Sequence, residues 1–217
     1  MRLAKLAVAS VSPTVGAVRS NTSRLIAVAK EMAAANVTIG AFPEQAVGGY
    51  PPEDLVQWPG FLVGQRRELE RFAHETKSSP TVYVMGLAVS AGGQIFNAAA
   101  VVHRGRIAGL VPKEKLPTYN VFYEGRTFSR GGPGLALDAS GVPLGDYRFA
   151  FEFGEHGKSI CRKKAQKAQK PKPVSFCASC AFLQLLPVLL HSNCTVATPG
   201  AGAPRVTARA PGDAEPR

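Results

Sequence analysis

Two segments about seventy residues apart, Phe42-Pro43-Glu44-Gln45 and Pro112-Lys113-Glu114-Lys115-Leu116-Pro117, decide how this chain reads. Each delivers one charged side chain at the end of an apolar run of strand length, residues 37–42 before Glu44 and 106–111 before Lys113. Upstream of the first, residues 3–11 read as a buried strand. Residues 17–35 read as an amphipathic helix, with Leu25, Ile26, Ala29, Met32 and Ala33 at helical spacing and Asn36 as its C-terminal cap. Between the two segments lie a helix over 61–77, with Arg66, Arg67, Glu70 and Arg71 on its outer face, and a strand over 81–90. After the turn at Gly92-Gly93, residues 95–103 and 106–111 pair across Arg104-Gly105. Residues 116–134 form a loop dense in aromatics, followed by short strands at 136–137 and 147–153. Parallel-type strand–helix alternation followed by antiparallel strands predicts an α/β layered domain with a mixed sheet. Sites in open α/β sheets gather at the carboxyl ends of strands, where Glu44 and Lys113 both fall.

The chemistry of the two positions stays open at this level. Glu44, shielded under an aromatic such as Tyr50, has the setting of a general base, or it is a solvated loop carboxylate. Lys113 can donate to a developing oxyanion, or it is a surface lysine, and Lys115 competes for the role. Glu124 and Arg126, set among Tyr119, Phe122, Tyr123 and Phe128, form a structural pair, or Glu124 orients the active lysine. A carboxylate and an ammonium are two of the three groups a thiol-based hydrolytic site requires. The third, a cysteine, is expected in a region where the chain changes character.

The 217 residues, 45% of them apolar, suffice for one full core. The net charge of +11 is uneven: residues 1–154 hold 16 basic and 12 acidic side chains, and residues 155–217 hold 10 and 3. The excess sits in a stretch without periodicity, so nucleic acid is not expected as a partner. All four cysteines (Cys161, Cys177, Cys180, Cys194) lie after residue 154, which suits a cytoplasmic origin for the folded part. No apolar run approaches the roughly 18 residues of a membrane span, and the faintly signal-like start is equally a first strand. Cys177-Ala178-Ser179-Cys180 has ligand spacing but lacks a second tight pair, so no metal is expected. The run Lys158, Arg162, Lys163, Lys164, Lys167, Lys170 and Lys172 has the composition of a disordered basic tail.

Phe42-Pro43-Glu44, Lys113-x-x-Leu116-Pro117 and Phe122-x-Glu124-x-Arg126-x-Phe128 resemble the nitrilase (carbon-nitrogen hydrolase) superfamily. Gly49-Tyr50-Pro51-Pro52-Glu53-Asp54-Leu55, the run from Pro112 to Glu124 and Gly141-Val142-Pro143-Leu144-Gly145-Asp146 are similar to the N-terminal glutaminase domain of glutamine-dependent NAD synthetases. The resemblance covers residues 1 to about 154. It implies an αββα sandwich, of which this chain holds the first half to two thirds, and a Glu-Lys-Cys triad. It matches Glu44 to the general base, Lys113 rather than Lys115 to the catalytic lysine, Glu124 to the glutamate holding that lysine, and Tyr50 and Tyr119 to the glutamine pocket. It further implies glutamine as substrate, a homo-oligomer, and no cofactor for the glutaminase portion. ATP and an NAD precursor belong to a synthetase domain absent here.

The sequence departs from that pattern after Gly154. Cys161 lies at about the distance of the family's nucleophile, but without the apolar strand before it or the acidic pair after it. Residues 155–217 are therefore expected to be a non-homologous, out-of-frame tail, leaving a partial hydrolase domain (1–154) that is inactive or nearly so and exposes a large apolar face. Two other functions compete: a stand-alone amidase of the superfamily, and a non-enzymatic basic interaction protein.

Overall fold

Helix α1, Val18–Ala34, forms where apolar residues recur every three to four positions, and it buries Leu25, Ile26, Ala29 and Met32, with Asn21 and Thr22 continuing the stripe. The computed structural model describes residues 4–120, 122–132, 136–138, 140–145, 148–151, 174–177 and 206–209. Just past α1, Asn36 takes a left-handed φ of 54° and its N–H donates to the carbonyl of Ala33, closing the helix as the sequence suggests. Helix α2, Pro59–Glu75, starts with proline in its first turn and buries Leu69, Phe72 and Ala73 beside Gln65 and Glu68. One residue of its expected outer face departs. Arg66 is turned inward, 2.6 Å from Asp138 and 3.1 Å from Glu70, because the buried carboxylate of Asp138 is brought to it.

The main sheet has the order β1-β2-β3-β4-β5-β7-β6. Strands β1 (Leu6–Val8), β2 (Ile39–Ala41) and β3 (Val82–Ala91) run parallel; β4 (Gln94–His103) and β5 (Arg106–Pro112) follow as antiparallel hairpins. β7 (Pro143–Leu144) lies parallel to β5 and carries β6 (Ala136–Leu137) antiparallel on the edge. The mixed sheet is thus as expected. The first strand is not the buried strand predicted: it is three residues long at the sheet edge, with Leu6 43% and Val8 73% exposed.

Both helices pack on one face of this sheet. Phe42, Phe72 and Tyr83 meet there with ring centroids 5.4–6.3 Å apart, and the Tyr83 hydroxyl bonds the carbonyl of Ala29 in α1. Residues alternate across the pleat, so Ile39, Ala41, Val82, Val84, Ala99 and Val101 belong to the other face; each is less than a tenth exposed. The exposed apolar face expected there is not observed at these positions.

A second sheet has the order β10-β8-β9, all antiparallel, with β8 (Arg148–Phe151) between β9 (Val174–Cys177) and β10 (Val206–Arg209). Within 155–217 the structure describes only those two four-residue segments, each paired with β8. The rest of that stretch, including Cys161, Cys180, Cys194 and the lysine-rich run, lies outside the described residues. Among the described residues no helix is long and apolar enough to cross a membrane.

Candidate active site

Glu44 is positioned by the way the chain leaves β2. Phe42 still donates to Val84 of β3 (2.8 Å), and then the chain turns over β3: Gly86 N–H reaches the Pro43 carbonyl (3.2 Å) and Val47 N–H reaches the Gly86 carbonyl (3.3 Å). Gln45, at φ 50°, makes the turn that aims Glu44 away from the core. Lys113 sits one residue past β5 and is clamped through its main chain. Its N–H donates to the Asn97 carbonyl in β4 (2.7 Å), and its own carbonyl accepts from Gly131 (2.9 Å). Glu124 opens a single helical turn, α3 (Glu124–Thr127), within what the sequence suggested was loop. Its N–H bonds the Pro117 carbonyl at 3.2 Å, and the residue is 6% exposed.

These three supports bring the predicted charges together. Lys113 Nζ lies 2.8 Å from Glu44 Oε1 and 2.8 Å from Glu124 Oε2. Tyr50 Oη donates to the other oxygen of Glu124 at 3.3 Å. Lys115 takes no part in any described contact of the cluster; Lys113 is the lysine at its centre. Tyr119 does not line the adjoining cavity; it is 64% exposed and its ring rests on Phe122, while Tyr123 lines the cavity instead. That cavity, of about 520 Å³, has Tyr50 and Glu124 on its wall together with Glu53, Asp54 and Arg126, whereas Glu44 and Lys113 are not among its lining residues.

Two carboxylates share one ammonium, so the cluster has a surplus negative charge. Burial raises the pKa of Glu124, the Glu44 charge adds to this, and Lys113 and Tyr50 only partly offset it. Burial pulls Lys113 down, but its hydrogen bonds and charge interactions with Glu124 and Glu44 outweigh that and its pKa is raised. The ammonium is therefore retained at neutral pH, as an oxyanion donor requires. The Tyr50 phenol is pushed up to about 12, by burial first and then by the charges of Glu124 and Glu44. A pH-jump absorbance titration should find one phenol ionising at about 12, and Glu124→Gln should lower it; an unchanged midpoint in that variant would contradict the contact.

Two residues of the site escaped the sequence reading. Asn97, fully buried in β4, donates from Nδ2 to Glu44 Oε1 at 2.5 Å. Gln45, also fully buried, donates from Nε2 to Asn97 Oδ1 at 2.8 Å. The available signal was a lone amide in the apolar run Ile95-Phe96-Asn97-Ala98-Ala99, since a buried polar side chain needs partners. Cys161 lies outside the described residues, so it is not located relative to Glu44. Among the described residues no group of three or more His, Cys, Asp or Glu could hold a metal ion.

No family model matches the chain. Its homologues over the N-terminal two thirds are glutamine-dependent NAD(+) synthetases. That of Xanthomonas campestris pv. campestris is 40% identical over 146 residues, covering 65% of this chain and 26% of the relative. That of Aquifex aeolicus is 35% identical over 136 residues, covering 63% and 24%. The chain thus spans about a quarter of the length of these relatives. Among solved structures, the glutamine-dependent NAD+ synthetase from Acinetobacter baumannii matches with a TM-score of 0.52 at 32% identity, over 63% of this chain and 26% of that one. The enzyme from Cytophaga hutchinsonii has a TM-score of 0.61 at 24% identity, over 66% and 25%. A nitrilase-superfamily amidase from Nesterenkonia shares the fold, with a TM-score of 0.51 at 17% identity over 65% and 53%.

Proposed function

We propose, on the premise of this homology to glutamine-dependent NAD(+) synthetases, that residues 1 to about 154 are the glutamine-hydrolysing, ammonia-supplying portion of such an enzyme. The observation that carries the reading is the Lys113 ammonium held 2.8 Å from both Glu44 and Glu124. In the reaction so assigned, Glu44 takes the proton of a thiol as the sulfur attacks the side-chain amide carbon of glutamine. Lys113 donates to the oxygen that becomes negative, and Glu44 returns the proton to the departing nitrogen, which leaves as ammonia. Water then hydrolyses the thioester to release glutamate and free the thiol. No step at this site calls for a cofactor; ATP and an NAD precursor serve the synthetase part of such enzymes. Glu124 keeps the lysine in place, Tyr50 holds Glu124, and both wall the cavity beside the cluster.

Residues 155–217 we read as a tail unrelated to the hydrolase, supported by the shift in charge and cysteine content after 154. Cys161 is the candidate thiol, but on the sequence around it the chain is expected to hydrolyse glutamine at or near background. The protein so read acts in the cytoplasm, and its hydrolase part self-associates.

The test is ammonia release from glutamine by two proteins, the full chain and a chimera in which residues 1–151 are followed by the corresponding remainder of the Xanthomonas synthetase. The chimera should release ammonia and lose this with Glu44→Gln or Lys113→Ala, while the full chain stays near background. A soluble, folded chimera without activity would overturn the site assignment. Activity of the full chain that disappears with Cys161→Ala would uphold the site and overturn the inactive-tail reading.

A further inference from the structure

Glu44 Oε1 is the meeting point of two donors, one in β4 and one just past β5: Asn97 Nδ2 at 2.5 Å and Lys113 Nζ at 2.8 Å. No described residue donates to Oε2. Asn97 also carries the main-chain carbonyl that fixes Lys113 N–H at 2.7 Å, so one residue of β4 holds both the carboxylate and the backbone of the lysine. An amide can present either end to a carboxylate, and only the NH₂ end is attractive. Here the acceptor-only carboxylate of Glu44 selects Nδ2, and Gln45 complements that orientation from behind by donating from Nε2 to Asn97 Oδ1 at 2.8 Å. Gln45 is fully buried, and its Oε1 has no hydrogen-bond partner among the described residues. The chain therefore leaves a buried acceptor unpaired and holds a non-glycine residue at φ 50° while keeping this donor in place.

We propose that Asn97, with its amide locked by Gln45, is a positioning residue that pins Glu44 through Oε1 beside Lys113 and leaves Oε2 as the one oxygen free to take a proton. The role as proton acceptor rests on the function proposed above; the pinning itself does not. Asn97 acts through Glu44. Its removal lets the carboxylate rotate away from Lys113, and the ammonium loses one of its two partners.

The experiment is competitive acetylation of the intact full-length chain with acetic anhydride across pH, with Lys113 quantified by mass spectrometry and no glutamine present. Asn97→Leu should make Lys113 react about threefold faster or more, within the range of coupling between residues of one hydrogen-bonded network. Glu44→Ala should do the same. In the Glu44→Ala background, Asn97→Leu should add nothing, because the side-chain route to Lys113 has been cut and the main-chain bond from Lys113 N–H to the Asn97 carbonyl is common to all the variants. Equal acceleration in both backgrounds, the result of a merely structural role in β4, would overturn the proposal, as would no acceleration in either. Should Asn97→Leu not fold, Gln45→Met provides the second variant: it keeps Asn97 but unlocks its amide, and the same non-additivity with Glu44→Ala is expected. Because labelling reads geometry alone, it can fail while the chimera releases ammonia, and succeed while the chimera does not.

Discussion

Lys113→Met is expected to lower folding stability by about 2 kcal/mol near neutral pH, and the loss should narrow as the pH is lowered toward about 5. The substitution leaves Glu44 and Glu124 facing each other without a cation. Removing one partner of a fully buried ion pair costs roughly 3–5 kcal/mol, because the remaining charge stays desolvated. Here the side chain of Glu44 is 24% exposed and that of Lys113 13%, so water recovers part of this. Glu124, at 6%, is the group left in difficulty.

The direction with pH follows from linkage. The folded-state pKa of Glu124 is already raised, by burial first and by Glu44 second, with Lys113 among the groups holding it down. A raised carboxyl favours the fold while protonated and weakens it as pH rises through the folded pKa. Without Lys113 that pKa climbs further, so the variant suffers most where Glu124 must be ionised. It recovers between neutrality and the ordinary Glu value of 4.5, where the carboxyl takes up a proton. Lys113 works the other way in the parent chain. Its raised pKa means the support it gives is fully present below 10.5 and is lost only above that. Urea denaturation of both chains at about pH 7.5 and pH 5 checks the argument. A loss that stays constant or grows at the lower pH would mean the lysine contributes packing rather than charge.

The positions of the two clustered charges, Glu44 and Lys113, were legible in the sequence for a physical reason. Each stands one or two residues beyond an apolar strand, and strand ends are where a pleated, fully buried run must release its first polar side chain. Helices α1 and α2 were legible because a periodic apolar stripe survives any tertiary context that needs a buried face. Three features were hidden because they depend on contacts distant in sequence. Arg66 reads as an outer-face residue until Asp138, seventy-two positions on, is brought against it. Tyr50 and Tyr119 are both aromatic neighbours of a motif, yet only Tyr50 reaches Glu124, and nothing local separates them. Asn97 is invisible as a site residue because its partners, Glu44 and Gln45, come from a turn more than fifty residues earlier. The edge strand β1 misled in the opposite sense: an apolar run says that a strand forms but not whether a neighbour covers it, and Leu6 and Val8 remain exposed.

Gly86→Ala, a single methyl group, is expected to destabilise the protein by about 3 kcal/mol, at the upper end of overpacking costs, and to displace Glu44. A β-carbon at this position of β3 would meet the backbone nitrogen of Gln45 and would stand 2.7 Å from Glu44 Cα and 2.9 Å from its carbonyl carbon. Side chains can rotate away from such a contact; these atoms are main chain and cannot move without the whole turn moving. The same turn is tied to Gly86 by hydrogen bonds on both sides, from its N–H to Pro43 and from Val47 to its carbonyl, so lifting it off the strand breaks both. The effect thus combines steric strain with the loss of two buried backbone bonds and carries Glu44 away from Lys113 and Asn97. Gly64→Ala is the matched comparison. It lies within α2, where apart from its chain neighbours and the helix's own backbone no atom comes within 4 Å of the added carbon, and the better helix propensity of alanine should stabilise the chain by up to about 1 kcal/mol. Paired urea melts, with Lys113 acetylation read on the same samples, should therefore give opposite signs of stability for the two substitutions and faster labelling only for Gly86→Ala. A Gly86→Ala chain as stable as its parent would mean that the Glu44–Gln45 turn does not rest on β3, and the geometry that joins Glu44 to Lys113 would have to be redrawn.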